Sequence, residues 1–190
     1  TSDRGLCGAF NGNIIRLATK RIDEHKEQGH GVQVISLGKK VASTLNFLGY
    51  PIDAQHQGIM DAPKYAQAQS IVEPIIAAFI KGEIDAVEVV YARFESAARI
   101  NPEYITLLPA GGDSAEASEN NNASNEDFKF HPDPAQLLDA LIPQAVKTSF
   151  FSTLLQTSAG EHAARRLAMK NATDAAGDII KQVNRDYNRA

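Results

Sequence analysis

The sequence has one cysteine, no tryptophan and no long apolar run, and these shortages exclude several classes of protein. Cys7 is the only cysteine in the 190 residues, which excludes an internal disulfide and any metal site built from several cysteines and suits a reducing compartment. No apolar run approaches the roughly 20 residues that a membrane-spanning helix needs. The first residues also lack the basic and apolar regions of a signal peptide. The sequence therefore predicts neither a membrane span nor a secretory leader.

Basic residues are in slight deficit, with 19 Lys and Arg against 23 Asp and Glu. This balance argues against a general nucleic-acid-binding surface, which needs an excess of cations. A local stripe remains at Arg165, Arg166 and Lys170, with Glu161 one turn before Arg165 as an i, i+4 pair. Because Asp174 follows soon after, the stripe is better explained as a solvated face or a charged contact with a protein than as a nucleic-acid contact.

The five histidines show no short metal-binding motif. They stand at positions 25, 30, 56, 131 and 162, and no two of them form an HxH or HExxH pattern. The single cysteine does not combine with these histidines into a metal-binding motif. We therefore interpret them as surface histidines and predict no metal site and no bound cofactor.

Hydrophobic spacing alternates between helical and strand patterns over residues 1–110. Helical patterns end near Gly29, Gly49 and Gly82. Strand patterns cover 32–38, 52–57, 85–96 and 103–109, with a turn around Asn101 and Pro102 joining the last two. Alternation of this kind predicts an α/β fold, a layered Rossmann-like domain with a mainly parallel sheet and one antiparallel edge. Its first strand is expected before Thr1.

The remaining sequence changes character twice. Residues 111–127 (GGDSAEASENNNASNED) contain almost no large apolar residue and are predicted to form a flexible acidic loop. Residues 128–190 are predicted to form a long C-terminal helical region, because helical patterning runs from Leu137 to Tyr187 with only Pro143 and two glycines as breakers. This helix is too long for one face of a compact domain.

The last part of this helix carries the apolar repeat of a coiled coil. The repeat steps by three and four residues, a period near 3.5, through Met169, Ala172, Ala176, Ile179 or Ile180, Val183 and Tyr187. No other segment is long enough to pair with this seam, and the pattern has no stop signal before the last residue. We therefore expect a chain truncated at both ends that provides half of a coiled-coil shaft. When isolated, it should either self-associate or have its C-terminal helix bent back or frayed.

The Gly-rich start, TSDRGLCGAFNGN, allows three interpretations. Glycines before a helix can turn backbone N–H groups toward a phosphate, so a small α/β nucleotide-binding module using Gly5 to Gly8 is one alternative. Cys7 as a nucleophile is another, since a helix N-terminus and Arg4 could activate its thiol. The stretch lacks the lysine of a P-loop and the spacing of a dinucleotide fingerprint. A tight strand-to-helix turn over a buried cysteine is therefore favoured.

Four motifs together resemble one protein family. They are SDRGLCG at 2–8, VVYARF at 89–94, HPDPAQLLDALIP at 131–143 and EHAARRLAMKNATD at 161–174. Their types and order are similar to those of the γ subunit of the rotary F-type ATP synthase, with matches from Ser2 to Asn188. Gly160, Arg166 and His131 depart from that family's usual serine, methionine and glutamate.

The resemblance implies a central-stalk rotor subunit that is not itself catalytic. Such a subunit couples proton translocation to ATP synthesis by rotation inside the ring of α and β subunits. It has no cofactor, and its partners are the α, β and ε subunits and the membrane rotor ring, not nucleic acid. A bacterial setting is implied, peripheral to the plasma membrane on its cytoplasmic side.

The resemblance also implies two sets of partner-contact residues. On the shaft helix these are Arg165, Lys170, Asn171 and Asp174. Near the foot, facing the membrane ring and the ε subunit, they are Phe128, Lys129, Phe130 and His131.

Overall fold

The computed structural model describes residues 1–111 and 134–189. These residues form four helices and four strands in the order α1 (Phe10–Glu27), β1 (Ile35–Leu37), α2 (Lys39–Phe47), β2 (Ala54–His56), α3 (Tyr65–Ile80), β3 (Val87–Ser96), β4 (Arg99–Leu108) and α4 (Pro134–Tyr187). The predicted α/β class and the long C-terminal helix are confirmed. The predicted acidic loop lies, after Gly111, outside the described residues.

The four strands form two separate pairs. β1 and β2 are parallel, with Ser36 opposite Gln55, and each has only three residues. β3 and β4 form an antiparallel hairpin of ten residues per strand. The described part of the chain therefore contains the expected parallel sheet, but the hairpin is a second sheet and provides most of the strand residues.

The hairpin turn lies earlier than the sequence predicted. β3 and β4 are joined at Ala97 and Ala98, and Pro102 lies inside β4, opposite Ala92. The N–H of Ala92 donates to Thr157 Oγ1 in α4 at 3.3 Å. Proline is tolerated in a strand where the neighbouring strand does not need its N–H, so Pro102 was wrongly interpreted as a turn residue.

Helix α4 packs against the α/β part of the chain along one face of its first half. A stripe with helical spacing is buried there: Val146, Phe150, Leu154, Thr157 and Glu161. The first three belong to the largest apolar cluster, which also contains residues of α3 and the end of β4. None of the described side chains from residue 162 onward is buried, and α4 runs about 40 Å from there to Tyr187.

The Gly-rich start lies between the two strand pairs and α1. The nitrogen of Thr1 donates to the carbonyl oxygen of Leu37 at 2.9 Å, and Asp3 accepts hydrogen bonds from the N–H groups of Lys39 and Gly58, each at 2.9 Å. Gly38 has φ +98°, and a Cβ there would collide with the carbonyl oxygen of Thr1. This segment is therefore a tight structural junction.

Gly160 tests how closely α4 crosses the hairpin. A Cβ at this position would lie 3.0 Å from Ile100 Cγ2 and 3.2 Å from Phe10 Cε2, whereas a Cβ at Gly177 in the same helix meets nothing within 4 Å. We expect Gly160→Val to lower the free energy of unfolding by about 1–3 kcal/mol through overpacking. Gly177→Val is the control and should be nearly neutral, because valine is a slightly better helix former than glycine. Urea unfolding measures both, and equal midpoints would contradict the close crossing.

Candidate partner interface

Helix α4 changes from buried to exposed at Glu161 and Arg165. Glu161 is 0% exposed, and its Oε1 lies 2.5 Å from Arg165 Nη2. Arg165 Nε also donates to the carbonyl oxygen of Gly5 at 3.3 Å. These contacts tie the helix to the Gly-rich turn at the point where the helix begins to extend beyond the domain.

The burial of Glu161 makes this ion pair different from an ordinary surface pair. A carboxylate removed from water loses its hydration and needs a paired cation or hydrogen-bond donors to compensate. Arg165 supplies a charged donor to Oε1, while Oε2 has no hydrogen-bond partner among the described residues. The predicted i, i+4 pair is confirmed, but it does not lie on a solvated face, because packing of α4 on the hairpin covers the carboxylate.

A second polar anchor lies nearer the start of α4. Lys147 Nζ is 2.6 Å from Glu73 Oε1 in α3, and this hydrogen bond, helped by one from Gln69, holds the pKa of the Glu73 carboxyl below its usual value. Phe151 packs edge-on against the ring of Tyr65 with centroids 5.5 Å apart. The packed half of α4 is therefore held both by its apolar stripe and by charged contacts.

The exposed half of α4 carries the predicted seam. Ala172 and Ala176 are exposed, and so are the large apolar residues of the repeat: Met169, Ile179, Ile180, Val183 and Tyr187. Ile180 is 60% exposed and Tyr187 81%. A row of exposed apolar side chains at helical spacing is typical of a surface that binds another helix or protein.

The predicted contact residues fall into three groups. Lys170, Asn171 and Asp174 are exposed on the same half of α4 as the seam. Arg165 instead makes the buried junction with Glu161, with its side chain only 24% exposed. The foot residues at 128–131 lie outside the described residues.

A cleft of about 270 Å³ lies beside α4, just after Glu161. It is bounded by the Gly-rich turn, the tip of the hairpin and α4, and its lining includes Cys7, Ala98, Ile100, Leu167 and Asn171. This lining is mostly apolar and contains no lysine or arginine. A phosphate site normally includes one of these cations. The cleft therefore does not favour the nucleotide-binding alternative.

Cys7 is buried under the Gly-rich turn, as the favoured interpretation predicted. Its side chain is 3% exposed and packs with Phe10, Ile14 and Ala92. Asn11 Nδ2 donates to its sulfur at 3.2 Å. A buried thiol in apolar surroundings is a structural residue rather than an accessible nucleophile.

The described residues also bear on metal binding and membrane insertion. Within 1–111 and 134–189, no three or more His, Cys, Asp or Glu side chains cluster as ligands of a metal ion. In the same part of the chain, none of the helices is long and apolar enough to cross a membrane.

Comparison with known proteins shows consistent similarity over the whole chain. A family model described as ATP synthase matches residues 1–190. The ATP synthase gamma chain of Leptospira biflexa is 37% identical over 188 residues, which cover 99% of this chain and 64% of the relative. That of Rhodopirellula baltica is 36% identical over 192 residues, covering 100% and 65%. The chain thus spans a little less than two thirds of the length of these curated relatives.

A solved structure shows the same fold. The rotor of the Euglena gracilis mitochondrial ATP synthase, in rotational state 1, contains a chain that aligns with a TM-score of 0.65. The alignment covers 100% of this chain and 70% of the other, with 19% sequence identity. At this identity the comparison supports the arrangement of helices and strands.

Arg165 and its neighbour Arg166 provide a matched test of the junction. We expect Arg165→Ala to lower the free energy of unfolding by about 3 kcal/mol, because it leaves the Glu161 carboxylate buried without its cation. Arg166→Ala removes an equal charge from an exposed position and should change stability by less than about 0.5 kcal/mol. Urea unfolding at neutral pH measures the difference. Similar small effects of both substitutions would show that Glu161 does not depend on Arg165.

Proposed function

Because this chain belongs to the ATP synthase γ-chain family, we propose that it acts as a central-stalk rotor subunit of a proton-driven ATP synthase. In this role it couples proton translocation to ATP synthesis by rotating inside the ring of α and β subunits. The observation that carries the proposal is the division of α4 into a half packed on the α/β domain and a half that exposes an apolar seam.

The geometry suits the transmission of torque. An isolated helix bends and frays easily, whereas two helices wound together through an apolar seam form a stiffer rod. Ala172 and Ala176 are small enough to let a second helix approach closely. We propose that this second helix comes from the part of the γ chain that the present 190 residues do not include, and that the packed half of α4 fixes the rod to the domain.

The proposed role is mechanical and not catalytic. Lys170, Asn171 and Asp174, exposed on the extended half of α4, are proposed to contact the surrounding α and β subunits or the partner helix. Residues 128–131 are proposed to contact the membrane rotor ring and the ε subunit. The protein would then be peripheral to a membrane, on the cytoplasmic side of the bacterial plasma membrane.

Ile180 and Arg185 test the seam in the full-length protein. They lie on opposite faces of α4, since 500° of helical rotation separates them at 100° per residue. We expect Ile180→Asp to reduce assembly with the α and β subunits at least fivefold, because it places a charge in an apolar helix interface. Arg185→Asp makes a larger change of charge outside the seam and should assemble nearly normally. Size-exclusion chromatography of the reconstituted complex measures the yield, and normal assembly of the Ile180 variant would contradict the seam.

Lys170 tests the shaft surface separately from assembly. We expect Lys170→Glu to allow assembly of the full-length protein but to lower the ATP hydrolysis rate of the complex at least threefold, because it reverses a charge facing the ring. Lys81→Glu, at an exposed position just after α3, is the control and should leave the rate within a factor of about 1.5. A coupled ATPase assay at matched complex concentrations makes the comparison. Equal rates for both variants would remove Lys170 from the proposed interface.

A further inference from the structure

Two histidines meet at the C-terminal end of α1, far along the chain from the exposed half of α4. His25 Nδ1 and His30 Nδ1 are 3.2 Å apart. The backbone holds them in this position, because the N–H of His30 donates to the carbonyl oxygen of His25 at 3.0 Å and Gly29 turns the chain with φ +80°. This is the hydrogen bond by which a helix closes its last turn before the chain leaves it.

The separation of the two nitrogens matches that of two ligands on one metal ion. Imidazole nitrogens bind Zn²⁺ at about 2.0–2.1 Å with tetrahedral geometry, which places two ligating nitrogens about 3.3 Å apart. His30 is exposed and the His25 side chain is 28% exposed, so an ion can reach both rings from solvent. Without an ion, one Nδ1 donates to the other, with the roles set by the tautomers, and both Nδ1 lone pairs are available to an ion when each ring carries its proton on Nε2.

Glu88 in β3 contacts the other nitrogen of the His25 ring. Its Oε1 lies 3.2 Å from His25 Nε2. A carboxylate only accepts hydrogen bonds, so this contact is a hydrogen bond when Nε2 carries the proton, and Nδ1 then keeps its lone pair. A carboxylate behind a ligating histidine is a common arrangement in metal sites. Arg21 Nη2 lies 3.3 Å from His25 Nε2 and donates to Glu88 Oε1 at 2.6 Å, so the role of Nε2 depends on the tautomer, and the proposed site uses the tautomer with the proton on Nε2.

Charged side chains of both signs surround the two histidines. Arg21 is paired with two carboxylates, Glu88 at 2.6 Å and Glu24 at 2.6 Å. Lys20 Nζ also lies 3.6 Å from Glu24 Oε1, so the paired charges nearest the histidines balance, and the proposed ion is held by the imidazole nitrogens.

We propose that His25 and His30 form a two-histidine site for a divalent transition-metal ion such as Zn²⁺ or Cu²⁺. Water completes the coordination, and Glu88 acts as a positioning residue behind His25. The sequence offered no motif for this site, since the end of α1 and not a short spacing brings the two rings together. The site lies on the α/β domain and is independent of the proposed rotor role.

Titration of the full-length, tag-free protein with Zn²⁺ by calorimetry tests the site. We expect one site per chain that is at least tenfold weaker in His25→Gln and in His30→Gln. His162→Gln removes an exposed histidine from α4 and is the matched control, with unchanged affinity expected. Retention of wild-type affinity in either the His25 or the His30 variant would overturn the two-histidine site.

Electron paramagnetic resonance of bound Cu²⁺ gives a second, structural readout. The wild type should show two coordinated imidazole nitrogens, and each single variant at position 25 or 30 should show one. Glu88→Gln should weaken Cu²⁺ binding several-fold but keep the two-nitrogen signal, which loss of the local fold would not preserve. A one-nitrogen signal in the wild type overturns the site, and an unchanged affinity in Glu88→Gln overturns the assigned role of Glu88.

Discussion

The close crossing of α4 over the β3–β4 hairpin is the constraint on which the rest of the structure depends. Gly160 has no side chain and Ala92 a single methyl group, so the helix and the hairpin approach until a Cβ on Gly160 would touch Ile100 and Phe10. This approach places Thr157 against the N–H of Ala92. It also covers Glu161, which then requires a cation, because a buried carboxylate without one is strongly destabilising.

The division of α4 into a packed half and an exposed half follows from this crossing. Arg165 reaches back to Glu161 and to the carbonyl oxygen of Gly5, so the Gly-rich turn, the hairpin and the helix meet at one junction. Upstream the helix is held by its apolar stripe and by Lys147 with Glu73. Downstream nothing described covers it, and its apolar seam is free to bind a partner.

Residue patterns predicted the elements better than their contacts. The helices, the buried Cys7 and the seam on α4 followed from periodicity and turn residues, which reflect local geometry. Pro102 was wrongly predicted to lie in the turn. A strand accepts proline where no neighbouring strand needs its N–H, and for β4 this is set by the pairing of Pro102 with Ala92. The four-motif resemblance predicted the family, which the match over residues 1–190 confirms. The contact roles of Lys170, Asn171 and Asp174 remain predictions.

The sequence by itself determined the α/β pattern, the long C-terminal helix and the spacing of its exposed apolar repeat, because each depends on residues close together in the chain. Tertiary structure alone decided that Glu161 is buried while Arg166 is exposed, although both lie within two turns of one helix. It also decided that Glu88 lies behind His25, from a strand distant in sequence. The physical reason is the same in both cases: burial and long-range pairing depend on what packs against a residue.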